Sequence, residues 1–212
     1  MSNKASDRRG LMLVISSPSG AGKTSLSRKL MKEFDDVVLS VSATTRDPRP
    51  NETEGVDYYF KSRETFQQMI GENAFLEWAH VFDRYYGTPR ADTEARLEAG
   101  KDVIFDVDWQ GADALHDQMP NDVVSVFVLP PSIEALRDRL LKRPGSTPES
   151  VDRRMADAES EIRHWRRYDY CIVNNAFDDA YEDLKLILRA ERLKRLRQHE
   201  LEPLVRNLLG EG

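Results

Sequence analysis

Apolar positions in this chain gather into short continuous runs separated by amphipathic stretches. "LMLVIS" (11–16), "DVIFDV" (102–107), "VVSVFVL" (123–129) and "YCIV" (170–173) have the continuous apolar character of strands buried on both faces. Between them the spacing is helical. "TSLSRKLMKEF" (24–34) repeats through Leu26, Leu30, Met31 and Phe34, and "GADALHDQM" is closed by Pro120. "SIEALRDRLLKR" (132–143) opens with Ser132 as an N-cap and carries Glu134 in its first turn. Strands alternating with helices predict right-handed βαβ units on a parallel sheet, an α/β fold with flanking helices.

Two stretches break this rhythm. Residues 41–96 run from "TTRDPRPNETEG" through the aromatic "VDYYF" and a helical "SRETFQQMI" capped by Ser62 to "FLEWAHVFDRYYGTPR". The last predicts a hairpin turning near Phe82–Arg84, without an Asn-Gly signal. This is a small α+β insertion. "KRPGSTPES" (142–150) ends one helix at Pro and Gly and starts another, with Ser146 or Thr147 as cap and Pro148 in the first turn. Such a segment can move as a lid. The expected division is a core of 10–40, 97–141 and 158–212, an insertion of 41–96 and a lid of 142–157. "YEDLKLILRAERLKRLRQHEL" near the end predicts one amphipathic helix packed along the core.

Composition narrows the function. A net charge of −6 argues against broad binding to nucleic acid or to an anionic membrane surface. No apolar run approaches the roughly 20 residues of a membrane-spanning helix. The opening "MSNKASDRRG" is polar and lacks the apolar centre of a secretory signal, so a cytoplasmic protein is expected. The four histidines are scattered and the single cysteine, Cys171, sits in an apolar run; a buried inert thiol and no structural zinc are expected.

The chemistry starts at "SPSGAGKT" (17–24). The phosphate-loop pattern asks for Gly, four residues, then Gly-Lys-Ser/Thr; here Ser17 stands where the first Gly belongs. Gly20, Gly22, Lys23 and Thr24 supply an inward-facing backbone, a helix N-terminus, an ammonium for β/γ oxygens and a hydroxyl for Mg²⁺. Asp106, closing "VIFD", falls at the carboxyl end of a parallel strand, where a second Mg²⁺ ligand is expected. Arg46 and Arg49, followed by Tyr58, suit a small phosphate. Glu77 on one strand of the hairpin, with Tyr86 and Thr88 on the other, can read a base edge.

The motifs "SPSGAGKT", "SVSATTRDPRP", "GVDYYF", "FLEWA", "YYGT", "FDVDWQG", "LPPS" and "IVNN" together resemble the guanylate kinase family of bacterial type, over nearly the whole chain. That resemblance implies Mg²⁺-dependent phosphoryl transfer from ATP to GMP on a phosphate-loop core. It implies that Ser17, Pro18, Ser19, Gly20, Ala21, Gly22, Lys23 and Thr24 hold ATP, with Arg143 and Asn174 also on the ATP side. Arg46, Arg49, Tyr58 and Tyr86 would hold the GMP phosphate, and Ser42, Glu77, Thr88 and Asp108 would surround guanine. Arg139, Arg143 and Arg154 would close over the transferring group, and Lys23, Arg46, Arg139 and Arg154 would be catalytic. Guanine presents N1–H and a 2-amino group to a carboxylate where adenine presents an acceptor, so Glu77 would favour guanine. "LKRPGS" departs from the family, which has glycines flanking the arginine matching Arg143; Lys142 and Pro144 stand there. The alternatives are a guanylate-kinase-like module binding a phosphopeptide, or a kinase for another phosphorylated acceptor. The sequence does not set the oligomeric state.

Overall fold

The computed structural model describes residues 8–211; the opening residues 1–7, which bear on the expected localisation, lie outside the described residues. The chain runs β1 (Met12–Ser16), α1 (Lys23–Glu33), β2 (Val37–Leu39), β3 (Ala43–Thr44), β4 (Tyr59–Phe60), α2 (Arg63–Gly71), β5 (Phe75–Val81), β6 (Arg84–Pro89), α3 (Arg90–Glu98), β7 (Asp102–Phe105), α4 (Trp109–Gln118), β8 (Val123–Leu129), α5 (Ile133–Leu141), α6 (Pro148–Ile162), β9 (Tyr170–Val173), α7 (Phe177–Arg192) and α8 (Leu201–Leu209).

β1 is buried throughout because it lies in the middle of a five-stranded parallel sheet of order β2-β7-β1-β8-β9. Side chains along it alternate between two cores. Leu13 and Ile15, with Leu11 just before the strand, pack with Leu26 and Leu30 of α1 and with Tyr181, Leu184 and Leu188 of α7. Met12 and Val14 pack on the other face with Leu97 of α3 and Leu115 of α4. The helices thus leave the sheet in opposite directions beside β1, and this switch point opens a crevice at the carboxyl ends of β1 and β7.

The insertion forms its own four-stranded sheet, β4-β3-β6-β5, over a small core in which Phe66 of α2 stacks on Phe75 at 4.4 Å. The hairpin turns at Phe82 (φ 46°) and Asp83 (φ 60°), both left-handed, which is the backbone of a type I′ turn without its usual Asn-Gly. Phe82 is 96% exposed there. Ser62, Ser132 and Thr147 each accept an N–H of the helix they precede, and Pro148 is the first residue of α6. α5 and α6 share the apolar cluster of Leu136, Leu140, Val151 and Ala158, and Gly145 (φ 79°) provides the left-handed residue between them.

Two expectations are corrected, and two elements stand where none was expected. The C-terminal run is not one helix: α7 ends at Arg192, a single 3-10 turn spans Arg195–Arg197, and α8 follows. The periodicity continues past Arg192, but burial of Arg197 under the amino end of the sheet draws the chain out of register. Cys171 is exposed, because β9 is an edge strand with alternate residues outside the helix-covered face. Desolvation by its neighbours still pushes the thiol pKa up. β2 and α3 stand as separate elements that the apolar pattern does not predict.

At the amino end of the sheet the core is closed by ions. Arg8, 2% exposed, donates to both oxygens of the fully buried Asp102, which also accepts Arg192 Nε at 2.7 Å and the Leu11 N–H at 3.0 Å.

Candidate active site

The loop after β1 bends back through Gly20 (φ 93°) and Gly22 (φ 111°) and delivers Lys23 as the first residue of α1. Both conformations favour glycine. A β-carbon on Gly22 would also collide with the Asn174 amide nitrogen. Ser17 has no positive φ, so serine fits the first position of the motif without strain. Among the described residues no protein group accepts the N–H of Gly22, Lys23 or Thr24. These donors and the positive end of α1 face a cavity of about 620 Å³ lined by residues 17–20, 22–25, Arg28, Asp106, Arg143 and Glu161. That is an anion cradle.

Lys23 Nζ pairs with Asp106 Oδ1, directly after β7. Two residues on, Asp108 caps α4 by accepting the Gly111 N–H at 2.9 Å. From behind, Asn174 Nδ2 donates to the Ala21 carbonyl at 2.6 Å, and Arg139 Nη2 donates to the Asn174 carbonyl at 2.8 Å. Asn174 is buried with its Oδ1 unpartnered, so in this conformation it supports the loop from below.

The insertion supplies a second cluster across the crevice. Arg46 lies over the Tyr58 ring at 5.3 Å, and the Tyr58 and Tyr86 rings meet edge-on at 6.2 Å. Glu52 accepts Arg46 Nη2 on both oxygens, at 2.8 and 2.9 Å, and the Arg49 N–H at 2.8 Å. The Arg46 guanidinium holds the Glu52 carboxyl below the usual carboxylate range, and Glu52 in turn raises Arg46. The Arg49 side chain is exposed at the rim. On the hairpin, Glu77 and Thr88 are paired in register, and Thr88 Oγ1 donates to Glu77 Oε1 at 2.6 Å. Burial pushes the Glu77 carboxyl up, the Thr88 hydroxyl opposes this, and the Asp108 charge adds to the rise. Ser42, Tyr58 and Thr88 line a cavity of about 270 Å³ with Asp106; Glu77 and Asp108 line a neighbouring one of about 510 Å³.

The lid arginines are less gathered. Arg139 is tied to the loop support, Arg143 lines the loop cavity, and Arg154 on α6 has Nη1 buried with no partner. Sequence reasoning missed two carboxylates. Glu52 orients Arg46, and Glu161 near the end of α6 lines the loop cavity with Oε2 buried and unpartnered. Burial raises the Glu161 carboxyl while the Lys23 charge lowers it. A signal for Glu161 existed: it lies seven residues after Arg154, a spacing that puts both on one helix face.

A phosphate loop at the switch point of a parallel sheet, facing a second anion-suited cluster, defines a phosphate-loop nucleotide kinase. The profile of the guanylate kinase family matches residues 9–191. A guanylate kinase of Hyphomonas neptunium is 73% identical over 206 residues, covering 97% of this chain and 95% of its own. One from Maricaulis maris is 56% identical, over 93% of this chain and 91% of its own. The crystal structure of guanylate kinase from Anaplasma phagocytophilum superposes with a TM-score of 0.70 at 38% identity, covering 94% and 95% of the two chains. The chain belongs to the guanylate kinase family.

Proposed function

We infer that the protein transfers the γ-phosphoryl group of ATP to GMP, giving ADP and GDP, and that the residues named above divide the work. The observation that carries this reading is that Asp106 lines both the phosphate-loop cavity and the cavity of Ser42, Tyr58 and Thr88. Donor and acceptor sites therefore meet at one carboxylate.

The loop of Ser17, Pro18, Ser19, Gly20, Ala21 and Gly22 wraps the β- and γ-phosphates; the Ala21 N–H closes a turn on the Pro18 carbonyl at 3.1 Å, and the free N–H groups of Gly22, Lys23 and Thr24 cradle them. Lys23 leaves Asp106 for the phosphate oxygens, and Asn174 keeps the loop in shape. Thr24 and Asp106 would hold Mg²⁺: both offer oxygen, Asp106 is 52% exposed toward the cavity, and an octahedral ion that keeps waters needs few protein ligands. When bound, Mg²⁺ neutralises charge on the β- and γ-oxygens.

Arg46, Arg49, Tyr58 and Tyr86 hold the GMP phosphate, with Glu52 fixing the Arg46 fork. Ser42, Glu77, Thr88 and Asp108 read guanine. An oxygen of the GMP phosphate attacks the γ-phosphorus and the bond to the ADP oxygen breaks; the nucleophile is already anionic, so no general base is required. Arg139, Arg143 and Arg154 on the α5–α6 lid stabilise the charge spread over the transferring group and exclude water. No helix among the described residues is long and apolar enough to cross a membrane, and the cytoplasm remains the proposed location.

The test is ADP formation from ATP and Mg²⁺ with GMP, AMP, UMP or no acceptor. A rise confined to GMP, with GDP in equal amount, is expected. Silence with every acceptor, in protein that still binds GMP, would overturn catalysis in favour of a binding module.

A further inference from the structure

α8 has no buried residue, although five of its nine residues are large and apolar. Exposure runs from 37% at Leu201 and 39% at Leu204 to 75% at Leu208. At about 100° per residue, Leu201, Leu204, Val205, Leu208 and Leu209 share one face, and Pro203 and Asn207 lie opposite. Glu202 and Arg206 occupy one flank, where Arg206 Nε donates to Glu202 Oε1 at 3.2 Å. Such a face is stable in water when another surface covers it.

We propose that α8 pairs with α8 of a second copy of this chain, antiparallel, about a two-fold axis near Leu204. The charge pattern selects this occupant and orientation. In an antiparallel pair the same flanks meet, so Glu202 faces the partner's Arg206 and Arg206 faces the partner's Glu202 on either side of Leu204. A parallel pair would bring opposite flanks together and leave both charges unmatched. A membrane surface fits less well: the polar side carries one acid and one base rather than a Lys/Arg-rich face, and the chain is net −6. A helix of this length spans about 13 Å, so the contact is small and the dimer exchanges with monomer as concentration changes. No residue of α8 lines the nucleotide cavities, so assembly and phosphoryl transfer are separable.

The experiment is sedimentation velocity of the full chain from micromolar to millimolar concentration. Wild type is expected to move from monomer to dimer, and Leu204→Glu to raise the dimer dissociation constant by about tenfold or more. Glu202→Arg alone and Arg206→Glu alone should each weaken the dimer about three- to tenfold. An equimolar mixture of these two variants should recover it. The first variant carries two bases on the flank and the second two acids, so opposite charges meet only where one variant pairs with the other. Unchanged melting temperature and kinase activity in each variant separates lost pairing from lost folding. A wild type that stays monomeric throughout, or a mixture no tighter than its components, overturns the proposal, as does binding of the monomer to anionic vesicles without self-association.

Discussion

Lys23 and Asp106 neutralise each other across the mouth of the phosphate loop, so the lysine proposed to meet phosphate and the carboxylate proposed to meet metal hold one another in the nucleotide-free protein. The pair keeps an ammonium from standing alone in the cavity. On the proposed mechanism, ATP competes with Asp106 for Lys23.

Asp106→Asn should therefore separate binding from chemistry. Removing the carboxylate frees Lys23 and takes a negative charge away from the phosphates, so ATP without Mg²⁺ should bind as tightly as to wild type or more tightly. Turnover should fall by about 10²-fold or more, since a charge-stabilising part of the transfer site is gone. Calorimetric titration of ATP with and without Mg²⁺, beside steady-state rates, checks both halves. Weaker metal-free binding together with full turnover would remove Asp106 from the metal role.

The two ends of the loop should differ sharply in their tolerance of substitution. Gly22→Ala must place a methyl group at a left-handed φ and against the Asn174 amide, which would push away the Ala21 carbonyl contact. Its kcat/KM for ATP should drop by about 10²-fold, in line with displacement of a positioned group by an ångström. Ser17→Gly should leave kcat/KM within about threefold, because Ser17 sits in an ordinary conformation and its hydroxyl donates only to the neighbouring Pro18 carbonyl. Initial rates over an ATP series on the two variants decide it.

Much of this frame was legible in the residues. The β8 run and the β9 run coincide with their strands, and the caps at Ser62, Ser132 and Thr147 stand where short polar side chains precede an amphipathic pattern. What was missed has physical causes. "VVL" of β2 is too short for a period to show, and "YCIV" does not say whether its strand is central or at an edge, which decides the fate of Cys171. Glu52 and Glu161 are single acids in a chain where 37 residues are Asp or Glu, and only their folded neighbours distinguish them. The split of α7 from α8 depends on tertiary burial of Arg197, which no local pattern carries.

Asp102 is the test of the ionic closure at the other end of the sheet. It is fully buried and shared by Arg8 and Arg192. Asp102→Asn would replace the buried carboxylate by an amide and leave Arg8 and Arg192 with Asp36, 23% exposed, as their one remaining carboxylate, so the loss should lie toward the lower end of the about 3–5 kcal/mol that breaking a buried pair costs. Chemical denaturation should show that loss as a lower midpoint with an unchanged slope, while GMP kinase rates at low temperature stay near wild type. A midpoint within error of wild type would mean that the cluster contributes nothing to stability.

Glu77 should trade stability for recognition. Its carboxyl is pushed up by burial in the nucleotide-free protein, so ionising it works against the fold: stability from this group is full below the ordinary carboxylate value and is lost as pH rises through the raised one. Glu77→Gln keeps an acceptor for the Thr88 hydroxyl and has no charge to desolvate. At neutral pH the variant without nucleotide should therefore melt at or above wild type, and the difference should vanish at a pH where wild-type Glu77 is protonated. With GMP the order reverses, because glutamine cannot accept both guanine N–H groups as a carboxylate does; kcat/KM for GMP should fall about 100-fold and the preference over AMP should narrow. Melting curves across pH, with and without GMP, read both effects in one protein. A variant that melts lower at neutral pH and keeps its preference for GMP would place Glu77 in the hairpin as a structural pair only.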